Sequence, residues 1–165
     1  MRYIIDTDTG TCVPVESEKK TTIDILKPYE GTKEYDGIVG EIQKWYYGAI
    51  IKAPWCATCA SWVLNKLGRT SCRSENVFTL LLKCKSEAES GSGKFYHKDQ
   101  IQDLQKGDVC FFLWSGSQMT TTSSKHVSFL VSDRGQFLDC LGGNQSDAIM
   151  TSTYERKNLY AIYRP

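Results

Sequence analysis

Two thiols separated by two residues, Cys56 and Cys59 in A-P-W-C-A-T-C (53–59), are the groups in this chain best suited to covalent chemistry. A pair at this spacing supports three reactions. It can cycle between dithiol and disulfide. It can supply half of a zinc site. Or one thiol attacks a carbonyl carbon while the other only packs. Each reaction needs different helpers elsewhere in the chain.

A redox centre of the thioredoxin type needs its motif at a strand-to-helix turn inside a βαβ unit. Likeness to that family also implies a cis-proline from a downstream loop. The four prolines are Pro14, Pro28, Pro54 and Pro165, so none lies between the motif and the last residue. The preceding run, W-Y-Y-G-A-I-I-K, is short and broken by Gly48. Zinc needs a second pair of close ligands. Cys72 and Cys84 are too far apart in sequence, and no second C-x-x-C or H-x-H occurs.

A nucleophilic Cys56 is better served. The thiolate, not the thiol, attacks. Pro54 is expected to open a helix in its first turn, where the missing N–H costs nothing. Cys56 then lies where unpaired N–H groups and the helix dipole favour negative charge. The same N–H groups can hold an oxyanion.

The attacking thiol needs a base, and the chain has two histidines. His97, in F-Y-H-K-D, reads as an exposed histidine. His126 begins the apolar run H-V-S-F-L-V after a polar loop, which places it at a strand end beside a cleft. A histidine that merely satisfies the sheet is the competing reading. A third group usually fixes the imidazole tautomer. His126 lies nine residues before Gly135 (135 − 126), and Asn144 lies nine after (144 − 135). A hairpin centred on Gly135 sets the two opposite each other on one face, and a slip of one residue would undo this. The alternative is a plain turn asparagine after Gly142–Gly143.

The bulk properties fit this chemistry. A chain of 165 residues with 41% apolar and 24% charged residues suits one globular domain. A net charge of +1 argues against a coat for nucleic acid or for an anionic membrane. No apolar run reaches the length of a membrane span, and the N-terminus lacks the apolar core of a signal peptide. Cytoplasmic synthesis is expected. Seven irregularly spaced cysteines point to free thiols rather than a disulfide scaffold.

The elements that must position these groups follow from periodicity. Residues 1–16 read as a small hairpin within an N-terminal extension (1–25), and Glu16–Thr22 as a polar loop. Pro28–Gly37 is rich in turn formers. Ile38, Val39, Ile42, Trp45 and Tyr46 recur at helical spacing and end at Gly48. A second helix runs from Pro54 to Gly68, and Val77–Cys84 reads as a third. Ser86–Lys94 reads as a flexible loop. Strands are expected at Val109–Trp114, His126–Ser132, Gln136–Leu141 and Tyr160–Arg164, with Gly142–Gly143 breaking the third. Helices early and antiparallel strands late make an α+β domain, with the helices packed on the sheet. No second domain is evident.

These features together resemble a known family. P-W-C-A-T-C-A-S-W-V-L (54–64), K-G-D-V-C-F-F (106–112), K-H-V-S-F-L-V (125–131), L-G-G-N-Q-S (141–146) and the closing Y-A-I-Y-R-P are similar to the CHAP amidase/peptidases. These are papain-like cysteine hydrolases related to the NlpC group, and the likeness is greatest to phage-type cell-wall lysins (endolysins). It covers about residues 28–165. It implies catalytic Cys56 and His126 with Asn144 as third member, and no cofactor and no metal. Many relatives carry a glutamate at the place of Gly142, so Gln145 and Asp147 stand as substitutes for the third role. Trp55, Trp114 and Gln145 are the candidates for the substrate groove, and Cys59 is expected in the core. The implied partner is bacterial peptidoglycan, cut at an amide as an N-acetylmuramoyl-L-alanine amidase or an endopeptidase. Neither nucleic acid nor membrane insertion is expected. A partner chain is a candidate for targeting, because no separate wall-binding domain is evident. The alternatives are a thiol-disulfide oxidoreductase using Cys56 and Cys59, and a non-catalytic binding module on the same fold.

Overall fold

The computed structural model describes residues 2–5, 7, 9–15 and 19–165, with 2–5 and 12–15 described by their backbone alone. Residues 16–18 of the expected polar loop lie outside the described residues. Strands β1 (Arg2–Ile5) and β2 (Cys12–Val15) form an antiparallel pair of their own. The remaining chain is α+β. Helices α1 (Thr22–Leu26), α2 (Gly37–Tyr47), α3 (Cys56–Lys66) and α4 (Val77–Glu89) come first. Strands β3 (Lys94–His97), β4 (Val109–Leu113), β5 (Lys125–Asp133), β6 (Phe137–Gln145), β7 (Ala148–Glu155) and β8 (Leu159–Arg164) follow. They form one antiparallel sheet in the order β3-β8-β4-β5-β6-β7.

Local chemistry sets the helix ends. Thr21 caps α1 and shares a reciprocal capping box with Asp24, which satisfies two orphan backbone donors. Gly48 ends α2 in the left-handed region at φ 79°, where glycine has no Cβ to clash. Asn76 caps α4 by accepting from the Phe78 and Thr79 N–H groups at 2.9 and 3.2 Å.

Helix α3 is the hub. Every residue from Cys56 to Leu64 is buried. It packs on β5 and β6 and is flanked by the other three helices. The sheet therefore has two apolar faces. Val109, Phe111, Val127, Phe129 and Leu141 meet the helices. Cys110, Phe112, Leu130 and Cys140 form a second cluster on the other face. Buried Asp108 takes a bidentate contact from Arg164, at 2.7 and 2.8 Å, and so ties the turn before β4 to the end of β8. Such fork-to-fork pairs fix orientation as well as adding energy.

Three expectations need correction. Pro54 stands before the N-cap, Trp55, rather than in the first turn, so Cys56 is the first helical residue. The loop expected at Ser86–Lys94 is shorter: α4 runs on to Glu89 and β3 begins at Lys94. The apolar face of α4 continues through Cys84 to Ala88 and holds the extra turn against the core. Gly142–Gly143 do not break β6, which continues to Gln145. They are glycines because neighbours press on them. A Cβ on Gly142 would meet Ser128 Cβ at 2.7 Å, and one on Gly143 would meet the Trp55 ring at 2.4 Å. Helix α1 and strands β3 and β7 are additions that the sequence reading did not expect. Strand β7 pairs with β6 through a two-residue turn, Ser146–Asp147, with both φ values positive at 52° and 57°.

Candidate active site

Cys56 opens α3, and its thiol lies on the wall of a cavity of about 560 Å³. Tyr47 from α2, the segment 51–54, Glu75 and the 121–125 segment close the other sides. Hydrogen bonds hold these walls in place. Tyr47 Oη meets Thr58 Oγ1 at 3.2 Å, and Ser61 Oγ bonds both N–H and C=O of Ser74 at 2.9 Å. Cys56 is 7% exposed, whereas Cys59 is fully buried. Burial pushes the Cys56 thiol up from its ordinary range. Backbone hydrogen bonds from Val127, Ala57 and Cys56 itself, then the charge of Lys125, pull it back. Burial likewise drives the Cys59 thiol far up, with no cation to oppose it. The two thiols are therefore unequal. One faces a cavity at a helix start, and the other is sealed beneath it.

His126 lies on β5 directly opposite Phe112 of β4, so its side chain projects with Phe112 and Tyr154 from the sheet face opposite to that of Val127, whose backbone contacts the Cys56 thiol. Among the described residues the thiol and the imidazole share no direct hydrogen bond; the imidazole bonds Gln145 instead. Burial lowers the His126 pKa to about 4, and the Gln145 contact opposes that fall. The imidazole is thus neutral near pH 7, as a general base must be.

Gln145, rather than Asn144, meets the ring. Its Oε1 lies 3.3 Å from His126 Nε2. Its Nε2 donates to the carbonyls of Cys140 at 3.2 Å and of Met150. Carbonyls accept only, so the amide nitrogen must face them and Oε1 must face the ring. Oε1 in turn can only accept, so the neutral imidazole carries its proton on Nε2 and leaves Nδ1 free. Tyr154 Oη also donates to Oε1. The Tyr154 ring stacks on Phe112 at 4.6 Å and lies 5.6 Å from the His126 ring.

The displacement of Asn144 has a local cause. The β5–β6 pairs Phe129–Leu141 and Leu130–Cys140 are centred on Gly135, the register expected from sequence. Beyond Gly142 the β6–β7 register shifts, and Asn144 adopts a left-handed φ of 60°. The bulge breaks the alternation and brings Gln145 to His126. The Gln145 carboxamide carbon lies 3.5 Å from where a Cβ on Gly142 would stand, so it fills the room which that glycine leaves. Asp147 sits in the turn beyond and is not a partner of His126.

The expected groove residues part company. Trp55 is fully buried against Gly143 and is core, not groove wall. Gln145 is also buried, behind His126, and does not line the cavity. Trp114 is 43% exposed with its ring 6.3 Å from that of His126. It therefore borders the histidine and not the Cys56 cavity. His97 lies on β3 against Tyr160, remote in the fold from this site. Tyr154 is the participant that sequence reading missed, because its strand was missed. Among the described residues no group of three or more His, Cys, Asp or Glu side chains is placed to hold a metal ion, and no helix is long and apolar enough to cross a membrane. No family model, curated protein or solved structure matches the chain.

Proposed function

We propose that this chain is a papain-like cysteine hydrolase of the CHAP/NlpC kind, cleaving an amide bond in bacterial peptidoglycan. The observation that supports the reading is the Gln145 carboxamide on His126 Nε2, with the backbone of the next residue, Val127, against the Cys56 thiol at the start of α3. In this mechanism His126 Nδ1 accepts the thiol proton and the Cys56 sulfur attacks the amide carbon. Backbone N–H groups at the start of α3 receive the oxyanion. The imidazolium gives its proton to the departing amine, leaving a thioester on Cys56. Water, deprotonated by the same histidine, then releases the acid. In the free protein the imidazole lies with Phe112 and Tyr154, so this mechanism requires His126 to turn toward Cys56 when substrate binds.

The sealed Cys59 weighs against a dithiol centre, because a resolving thiol must ionise and reach its partner. Lysis of purified cell walls by Cys56→Ser, Cys59→Ser and His126→Ala tests the reading. Activity is lost in the first and third and kept in the second. Equal loss in both cysteine variants, with none in His126→Ala, would overturn it. Mass spectrometry of the released fragments distinguishes the muramoyl-alanine bond from a bond within the peptide.

A further inference from the structure

The cavity over Cys56 holds a cation that gives and takes no proton in the hydrolytic steps. Lys125 opens β5, immediately before His126. Its Nζ donates to the Thr121 carbonyl at 2.6 Å and the Ser123 carbonyl at 2.9 Å. An ammonium has three donors, so one remains for a ligand. The two carbonyl bonds also remove much of the side-chain freedom that makes ordinary surface lysines poor ion-pair partners.

Lys125 and Cys56 line the same cavity. The charges of the ammonium and of the thiolate each stabilise the other. The oxyanion has donors of its own at the start of α3, so it makes no claim on the third ammonium proton. The other titratable groups around the thiol are Tyr47 from α2, Glu75 before α4, Tyr154 from β7 and the buried Cys59. Of these only Glu75 carries a charge near pH 7. It is exposed, and its charge acts on Tyr47 rather than on the thiol. The cavity is therefore cationic beside the sulfur and anionic toward Tyr47.

We propose that Lys125 is the specificity-determining residue of this cavity, receiving a carboxylate of the substrate beside the bond that Cys56 attacks. The proposal rests on Cys56 as nucleophile and adds the class of acyl group it takes: one bearing a nearby carboxylate.

Alkylation of Cys56 tests it without turnover. Iodoacetate and iodoacetamide present the same electrophilic carbon, with and without a carboxylate. Rate constants at Cys56 are read by peptide mass spectrometry, which separates it from the other cysteines. The iodoacetate-to-iodoacetamide ratio falls about fivefold in Lys125→Met, the scale of one partly exposed ion pair, and is largely kept in Lys125→Arg. Equal ratios in the wild type and a folded Lys125→Met overturn the proposal. If Lys125→Met does not fold, protection of the wild-type protein decides. Acetate must slow iodoacetamide alkylation more than acetamide does, and equal protection overturns the proposal. Charge preference without wall lysis would sink only the hydrolase reading. Wall lysis without charge preference would sink only this one.

Discussion

Gln145 fixes His126: its Oε1 stands 3.3 Å from the imidazole Nε2, while its own amide nitrogen is spent on the backbone carbonyls of Cys140 and Met150. The carboxamide cannot turn over without losing those bonds, so one imidazole tautomer is selected. Gln145→Ala releases the ring. We expect kcat on cell walls to fall roughly 10–100-fold, a part of the 10²–10⁴-fold that a positioned general base contributes. Asn144→Gly leaves kcat within about threefold, because glycine accepts the left-handed φ that Asn144 holds. A larger loss with Asn144→Gly than with Gln145→Ala would return the third role to Asn144.

Tyr154 supports the same oxygen from the other side. Tyr154→Phe keeps the stack on Phe112 and deletes only the hydroxyl that donates to Gln145 Oε1. One neutral hydrogen bond is worth about 1 kcal/mol, so kcat falls about fivefold with KM little changed. Steady-state kinetics on a soluble wall fragment checks this. An unchanged kcat would mean that Gln145 needs no second partner.

The features legible in sequence were those with local signatures. Gly48 marks the end of α2 and the apolar run marks β4, and the register about Gly135 is found at Leu130–Cys140 and Phe129–Leu141, beyond a shift between Leu130 and Ser132. Gln145 stood only as a substitute for Asn144 because a bulge changes which side chain meets the ring, and nothing in L-G-G-N-Q-S announces one. Strand β7, and Tyr154 with it, was hidden because its turn uses Ser146–Asp147 where such tight turns favour Asn-Gly. Trp55 was misjudged for another reason. An aromatic beside a nucleophile reads as groove wall, and only the fold shows Gly143 pressing on its ring.

Acid should weaken the fold through His126. Burial holds its folded pKa at about 4, below its ordinary 6.5. Between these values the unfolded chain binds the proton and the folded one does not. The stabilisation is therefore fully present above pH 6.5 and is lost as pH falls toward 4. The total is about 3 kcal/mol. Urea unfolding at pH 7 and pH 4.5 measures it, and His126→Gln should remove much of the difference. If the variant keeps the whole pH dependence, other groups carry it. For the same reason the acid limb of kcat/KM falls near pH 4 rather than near 6.5.

Gly143 links the fold to the nucleophile. A Cβ there would stand 2.4 Å from Trp55 Cζ3 and 2.6 Å from Cys59 Cβ. Both neighbours are fully buried, and Trp55 is the N-cap of the helix that Cys56 opens. Neither the ring nor the helix can yield without moving the thiol. Gly143→Ala should cost about 2–3 kcal/mol by overpacking and lower Tm by roughly 5–10 °C. Its loss of activity should exceed the loss of folded protein, because the helix start is displaced even in molecules that fold. Gly135→Ala is the control. It has a positive φ of 78° but open space around it, far from the thiol. It should cost about 1–2 kcal/mol of backbone strain and leave kcat intact. Differential scanning calorimetry beside wall lysis, measured well below both transitions, distinguishes the two variants. If Gly143→Ala keeps wild-type kcat, the contact between β6 and Trp55 does not position Cys56.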